Sequence, residues 1–149
     1  MLGIFNKFLK KHTVEDLLET LSESTFKDSK ANSMLKDVAV DYKDDKNRSL
    51  LHLVVEKNLT EAIKWLAEKG VNINDTDTAG DTPLMYAAQS GAVQSVRTLL
   101  SLNANADIAN GNSRIPIQEA IKKNSQDSYV LLKAKTKEIN HVDDEGHTI

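Results

Sequence analysis

The chain contains no cysteine, which excludes disulfides and thiolate metal sites and fits a reducing, cytoplasmic setting. Proline occurs twice, as Pro83 and Pro116, and the six glycines are scattered singly. No phosphate-cradling glycine loop can be assembled from them. Aromatic residues are only 5% of the 149, and Trp65 is the single tryptophan. Excess positive charge is also absent. The net charge is −3, so nothing draws the chain as a whole to nucleic acid. No apolar run approaches the roughly 18 residues that a membrane-crossing helix needs. The opening Met1-Leu2-Gly3-Ile4-Phe5 lacks the charged-then-apolar order of a secretory signal. N-myristoylation requires glycine directly after the initiator methionine, and Leu2 holds that place.

What is present is the composition of a folded protein, 28% charged and 40% hydrophobic, together with a regular spacing. Leu51, Leu84 and Ile117 are separated by 33 residues, as are Pro83 and Pro116, and Gly70 and Asn103. Asp44, Asp77, Asn110 and Asp143 keep the same step. So do Asn47, Gly80, Ser113 and Gly146 at a turn, and Asn58, Gly91 and Asn124 at the end of a helix. Glycine and asparagine tolerate left-handed backbone best, so their alternation marks one backbone constraint expressed repeatedly.

The middle unit states its structure most fully. In Asp77-Thr78-Ala79-Gly80-Asp81-Thr82-Pro83-Leu84-Met85-Tyr86-Ala87-Ala88-Gln89-Ser90-Gly91, Thr82 can cap a helix and Pro83 suits its first position. Leu84, Ala87 and Ala88 share one face, the alanines admit a close neighbour, and Gly91 can close the helix. This stretch resembles the core of an ankyrin repeat, whose signature runs Thr-Pro-Leu-His-x-Ala at a period of about 33. The resemblance implies an all-α ankyrin-repeat solenoid, built of helix-turn-helix units with β-turn finger loops.

On this register the expected organisation is an N-terminal cap helix at 1–12, a degenerate first repeat at 13–43, and repeats at 44–76, 77–109 and 110–142. Residues 143–149 begin a further, truncated unit. In the first repeat Thr13 is expected to cap a helix over Val14–Glu23, with Leu17, Leu18 and Leu21 inward and Asp16 as a capping-box partner. A second helix is expected to start at Ser24 or Thr25. Second helices carry Ile63 and Leu66, Val96 and Leu99, and Tyr129 and Leu132 at helical spacing. The third repeat lacks a hydroxyl before Pro116, and such a loss typically costs about 1 kcal/mol. Its helix is therefore expected to fray before the middle one.

Constellations for chemistry are weak. His52 occupies the family's signature histidine, where the resemblance implies a structural hydrogen bond between adjacent turns. His141 and His147 flank Asp143, Asp144 and Glu145, but at no known metal-ligand spacing. Asp75 and Asp77 resemble the opening of a calcium loop that lacks its distal glutamate. No serine sits in a nucleophile elbow. Trp65 reads as core packing. The chain is expected to be no enzyme and to need neither metal nor cofactor.

The resemblance further implies a concave groove lined by first helices and finger tips. Carried onto this chain, the variable positions are Lys43, Asp45, Lys46, Arg48, Glu56 and Lys57 in one unit. They are Thr76, Thr78, Ala79, Asp81, Gln89 and Ser90 in the next, with Tyr86 as the aromatic anchor. Ala109, Gly111, Asn112, Arg114, Lys122 and Lys123 follow, and Asp144, Glu145 and His147 would start a fourth set. His52, Gly80, Thr82, Pro83, Gly91 and Pro116 are expected to be structural. The function expected is a non-enzymatic, monomeric module that binds another protein, with no nucleic acid and no membrane among its partners. Two alternatives are a membrane-peripheral adaptor using the basic amphipathic segment Leu2–His12, and a regulatory segment of a larger protein.

Overall fold

A computed structural model describes residues 13–23, 28–36 and 38–136. The cap expected at 1–12, the start at Ser24 or Thr25 and the unit at 143–149 lie outside them. The described residues form eight helices. They are α1 (Val14–Ser22), α2 (Asp28–Met34), α3 (Leu50–Glu56), α4 (Thr60–Glu68), α5 (Pro83–Ser90), α6 (Val93–Ser101), α7 (Pro116–Lys122) and α8 (Gln126–Lys133).

Local chemistry sets the helix starts. The Thr13 hydroxyl accepts the Asp16 N–H at 3.2 Å, while Asp16 accepts the Thr13 N–H at 2.8 Å. This capping box satisfies two orphan donors of α1. The helix ends at Ser22, one residue before the end expected from sequence, because Glu23 is already extended. At α5 the Thr82 hydroxyl accepts the Met85 N–H at 3.3 Å, and Pro83 opens the first turn. At α7 there is no hydroxyl. Instead the Gln118 side chain reaches back and accepts the Ile115 N–H at 2.9 Å.

Left-handed residues reverse the chain between paired helices. Asn58, Gly91 and Asn124 have φ of 55°, 70° and 58°. The N–H that follows each one returns to the preceding helix: Leu59 to Val54, Ala92 to Ala87 and Ser125 to Ala120. Each first helix thus packs on its second: α3 on α4, α5 on α6, α7 on α8. Across units α3, α5 and α7 pack side by side in one layer, and α4, α6 and α8 in the other, with α1 against α3. Ala87, Ala88 and Ala120 are fully buried in the first-helix layer, where small side chains let neighbours approach. Leu50, Leu51, Ile63, Leu66, Leu84 and Leu99 fill the space between the layers, and Trp65 joins this core. The fold is the all-α solenoid expected from the sequence.

The stack has one thin flank. Ile121 on α7 is 41% exposed, whereas Ala88 at the same place one unit earlier is fully buried, and Val130 on α8 is 56% exposed. An element with fewer buried neighbours opens at lower free energy. Amide exchange is therefore expected to be faster in Pro116–Lys122 than in Pro83–Ser90. Equal or stronger protection in α7 contradicts this expectation.

Candidate functional site

Three finger turns precede α3, α5 and α7, and all use the same device. The side-chain oxygen of one Asp or Asn captures two backbone N–H groups within its own turn. Asp44 Oδ1 accepts from Lys46 at 3.0 Å and Arg48 at 2.8 Å. Asp77 Oδ1 accepts from Ala79 and Asp81, both at 2.9 Å. Asn110 Oδ1 accepts from Asn112 at 3.0 Å and Arg114 at 3.1 Å. Left-handed Asn47, Gly80 and Ser113, with φ of 59°, 81° and 59°, complete the three bends.

The fingers are joined to each other through backbone. The Thr78 N–H donates to the Lys46 carbonyl at 3.0 Å, and the Gly111 N–H to the Ala79 carbonyl at 2.8 Å. A Cβ on Gly111 would sit 2.9 Å from the Ala79 carbonyl oxygen, so this approach requires glycine. Side chains add further ties. Lys43 pairs with Asp75. The Asn47 amide donates to the Thr76 carbonyl at 2.9 Å, and Asn110 Nδ2 donates to Asp81 Oδ1 at 2.8 Å.

His52 is fully buried beneath the fingers. Its Nδ1 accepts the Ser49 N–H at 3.1 Å, so Nε2 carries the hydrogen and donates to the Asp81 carbonyl at 3.0 Å. One neutral imidazole thus links the first finger to the second, as the family resemblance implied. Burial holds its pKa below the ordinary 6.5, although Asp81, Asp77 and Asp75 pull the other way. Tyr86 meets the His52 ring edge-to-face, with centroids 5.1 Å apart. Its hydroxyl donates to Asp77 Oδ2 at 2.8 Å, and burial together with that carboxylate raises the phenol pKa.

The groove residues named from sequence divide by what they touch. Arg48 bonds Asp44 at 2.7 Å and Glu56 at 3.0 Å. Burial pushes the Asp44 pKa up, but hydrogen bonds from Arg48 and Lys46 outweigh it and leave it lowered. Gln89 donates to Asp81 at 3.3 Å, and Arg114 lies 3.6 Å from Glu119. Lys43, Arg48, Thr76, Asp81, Tyr86, Gln89 and Arg114 are half-buried. Asp45, Lys46, Lys57, Thr78, Ala79, Ser90, Asn112, Lys122 and Lys123 are exposed along the finger tips and helix ends.

Between the second and third fingers lies a polar hollow of about 460 Å³. Asp81, Gln89, Asn112, Arg114 and Lys122 line it as named from sequence, and the structure adds Asn110 and Glu119. Lys43, Asp45 and Lys46 lie apart from it on the first finger. The sequence signal for Asn110 was its place in the Asp44–Asp77 register. Glu119 follows α7 inward and is only 7% exposed; its pairing with Arg114 had no signal in the spacing. Among the described residues, no group of three or more His, Asp or Glu could hold a metal ion. No described helix is long and apolar enough to cross a membrane.

Comparison with known proteins adds the family context. The family model for ankyrin repeats, in three copies, matches residues 10–110. The tyrosine-protein kinase Shark of Drosophila melanogaster is 35% identical over 83 residues, 55% of this chain and 9% of that protein. The human transient receptor potential cation channel subfamily A member 1 is 28% identical over 108 residues, covering 70% of this chain and 10% of the channel. Human protein phosphatase 1 regulatory subunit 27 is 36% identical over 66 residues, 44% of this chain and 43% of that protein. The chain therefore spans less than half the length of each of these relatives.

Proposed function

This chain belongs to the ankyrin repeat family, whose repeats generally mediate protein–protein interaction, and on that premise we propose that it is a non-enzymatic module holding a partner protein in its concave groove. The observation that carries the proposal is the hollow beside the third finger. Polar groups from two fingers and two helices converge there: Asp81, Gln89, Asn112, Arg114, Glu119 and Lys122. It offers carboxylates, amides and cations at once, which suits a polar peptide segment better than a purely apolar one. We assign repeats to 44–76, 77–109 and 110–142, preceded by a degenerate one at 13–43. A role as a regulatory subunit, like the phosphatase relative by its name, fits the same binding mode.

Asn112, Lys122 and Lys123 are exposed, and Asn112 and Lys122 line the hollow. The triple substitution Lys122→Glu, Lys123→Glu, Asn112→Ala is expected to cut recovery of the partner from the source cell by about tenfold or more. Its unfolding free energy should stay within about 0.5 kcal/mol of the parent for each change. A control at Lys64 and Arg97, exposed on second helices α4 and α6, should recover the partner normally. Full recovery by the groove variant, or equal loss by the control, would overturn the assignment. The membrane-surface alternative rests on residues 1–12, outside the described residues.

A further inference from the structure

Asn110 is followed by Gly111, and no other asparagine in the sequence precedes glycine. Asparagine before glycine is the most labile dipeptide toward deamidation in water, because glycine leaves its own nitrogen unshielded. Here the glycine is imposed by the fold, since a Cβ would strike the Ala79 carbonyl oxygen at 2.9 Å. The same contact ties up the nucleophile: the Gly111 N–H donates to that carbonyl at 2.8 Å. The electrophile is tied as well. Asn110 Oδ1 accepts two backbone N–H groups, and Nδ2 donates to Asp81 Oδ1. The Gly111 N–H and Asn110 Nδ2 are held only while the third finger is seated on the second, whereas Oδ1 is held within the third finger's own turn.

We propose that Asn110-Gly111 is a deamidation site gated by that seating. When the finger lifts, the Gly111 nitrogen loses its proton to solvent base and attacks Asn110 Cγ. The new C–N bond closes a succinimide, the Cγ–Nδ2 bond breaks, and ammonia leaves with a proton. Water then opens the ring to aspartate or isoaspartate. The net change is amide plus water to carboxylate plus ammonium, with no oxidant or reductant.

The consequence follows from the other turns. Asp44 and Asp77 occupy the same place, so an aspartate at 110 can keep the turn itself. It cannot keep the bridge to the second finger, because two carboxylates would face each other where Asn110 Nδ2 now lies 2.8 Å from Asp81. Arg114 stands to position 110 as Arg48 stands to Asp44, and it supplies the alternative partner. Deamidation thus exchanges an inter-finger bond for one inside the third finger. It also adds negative charge to the hollow lined by Asp81 and Glu119.

The test uses the full chain in mildly alkaline buffer, with peptide mapping by mass spectrometry. Conversion at Asn110 in the native protein is expected to be at least roughly tenfold slower than in the urea-unfolded chain, and to accelerate several-fold in Asp81→Ala. Asn112, which precedes Ser113, serves as the internal comparison and should respond less to unfolding. Separately, Asn110→Asp should lower the unfolding midpoint, and Asn110→Asp with Asp81→Asn should recover it by restoring an amide–carboxylate pair. Equal rates in native and unfolded chain, or an Asn110→Asp protein as stable as its parent, would overturn the proposal. None of these readings depends on the partner.

Discussion

The Leu84→Ala protein is expected to unfold with about 2–5 kcal/mol less free energy than the parent. Leu84 is 1% exposed and lies on α5, which packs against α3 on one side, α7 on the other and α6 behind. A cavity there cannot close by a shift of one neighbour, because a shift toward either side opens the opposite contact. The cost therefore belongs at the upper part of the range for leucine truncation. The matched control is Ile121→Ala on α7. That side chain is 41% exposed, and its truncation should cost less than about 1 kcal/mol. Urea unfolding followed by Trp65 fluorescence and circular dichroism gives both numbers. Similar losses at the two positions would mean that α5 is not flanked as described.

Removing the buried imidazole should be nearly as damaging. His52→Ala strands the Ser49 N–H and the Asp81 carbonyl, which His52 satisfies together. A lost buried partner and the accompanying cavity place the cost at about 2–4 kcal/mol. The same site gives a pH dependence whose direction follows from its lowered pKa. The unfolded chain takes up a proton near pH 6.5, roughly the free value, while the folded protein resists until more acid conditions. Between those two points the unfolded state binds more protons, so stability rises with pH there. The contribution is complete above about pH 6.5 and drains as pH falls below it. Burial of the ring disfavours the charged form, and a protonated Nδ1 would in addition carry a hydrogen facing the Ser49 N–H. The His52→Gln protein, with no titrating group there, should show a flatter stability profile between about pH 5 and 7. An unchanged slope would assign the acid sensitivity elsewhere.

Much of the scaffold was legible because it depends on backbone conformation that few residues tolerate. Asn47, Asn58, Asn103, Ser113 and Asn124 all have positive φ, and four of these five were asparagines read from register alone. Ser113 was placed by its neighbours one unit earlier and later. Thr13 and Thr82 announced their helices because a hydroxyl before an apolar period has one evident use. What the sequence withheld was lateral. The pairs Lys43–Asp75, His52–Asp81 and Asn110–Asp81 connect successive fingers. Only the His52 link had a precedent in the family signature. Long side chains choose among several neighbours at such a junction, and spacing does not record which they take. Gln118 shows the same limit. Its capping bond to Ile115 looks like an ordinary polar residue until the helix start lies beside it.

The groove inherits this division. Its rim positions follow from the repeat, so Asp81, Gln89, Asn112, Arg114 and Lys122 could be named in advance and are found around one hollow. The hollow is also lined by Asn110, which the register marks as a turn residue, and by Glu119, which the repeat does not distinguish from solvent-facing polar residues.

The central claim is that neighbouring units stabilise one another through adjacent contacts, so that the groove exists only as a joint product of the stack. Residue-resolved hydrogen exchange on Leu84→Ala tests it most directly. The account predicts lost protection in α5, α6, α7 and α8, a smaller loss in α3, and little change in α1. Loss confined to α5, or a uniform loss over every described helix, would contradict it.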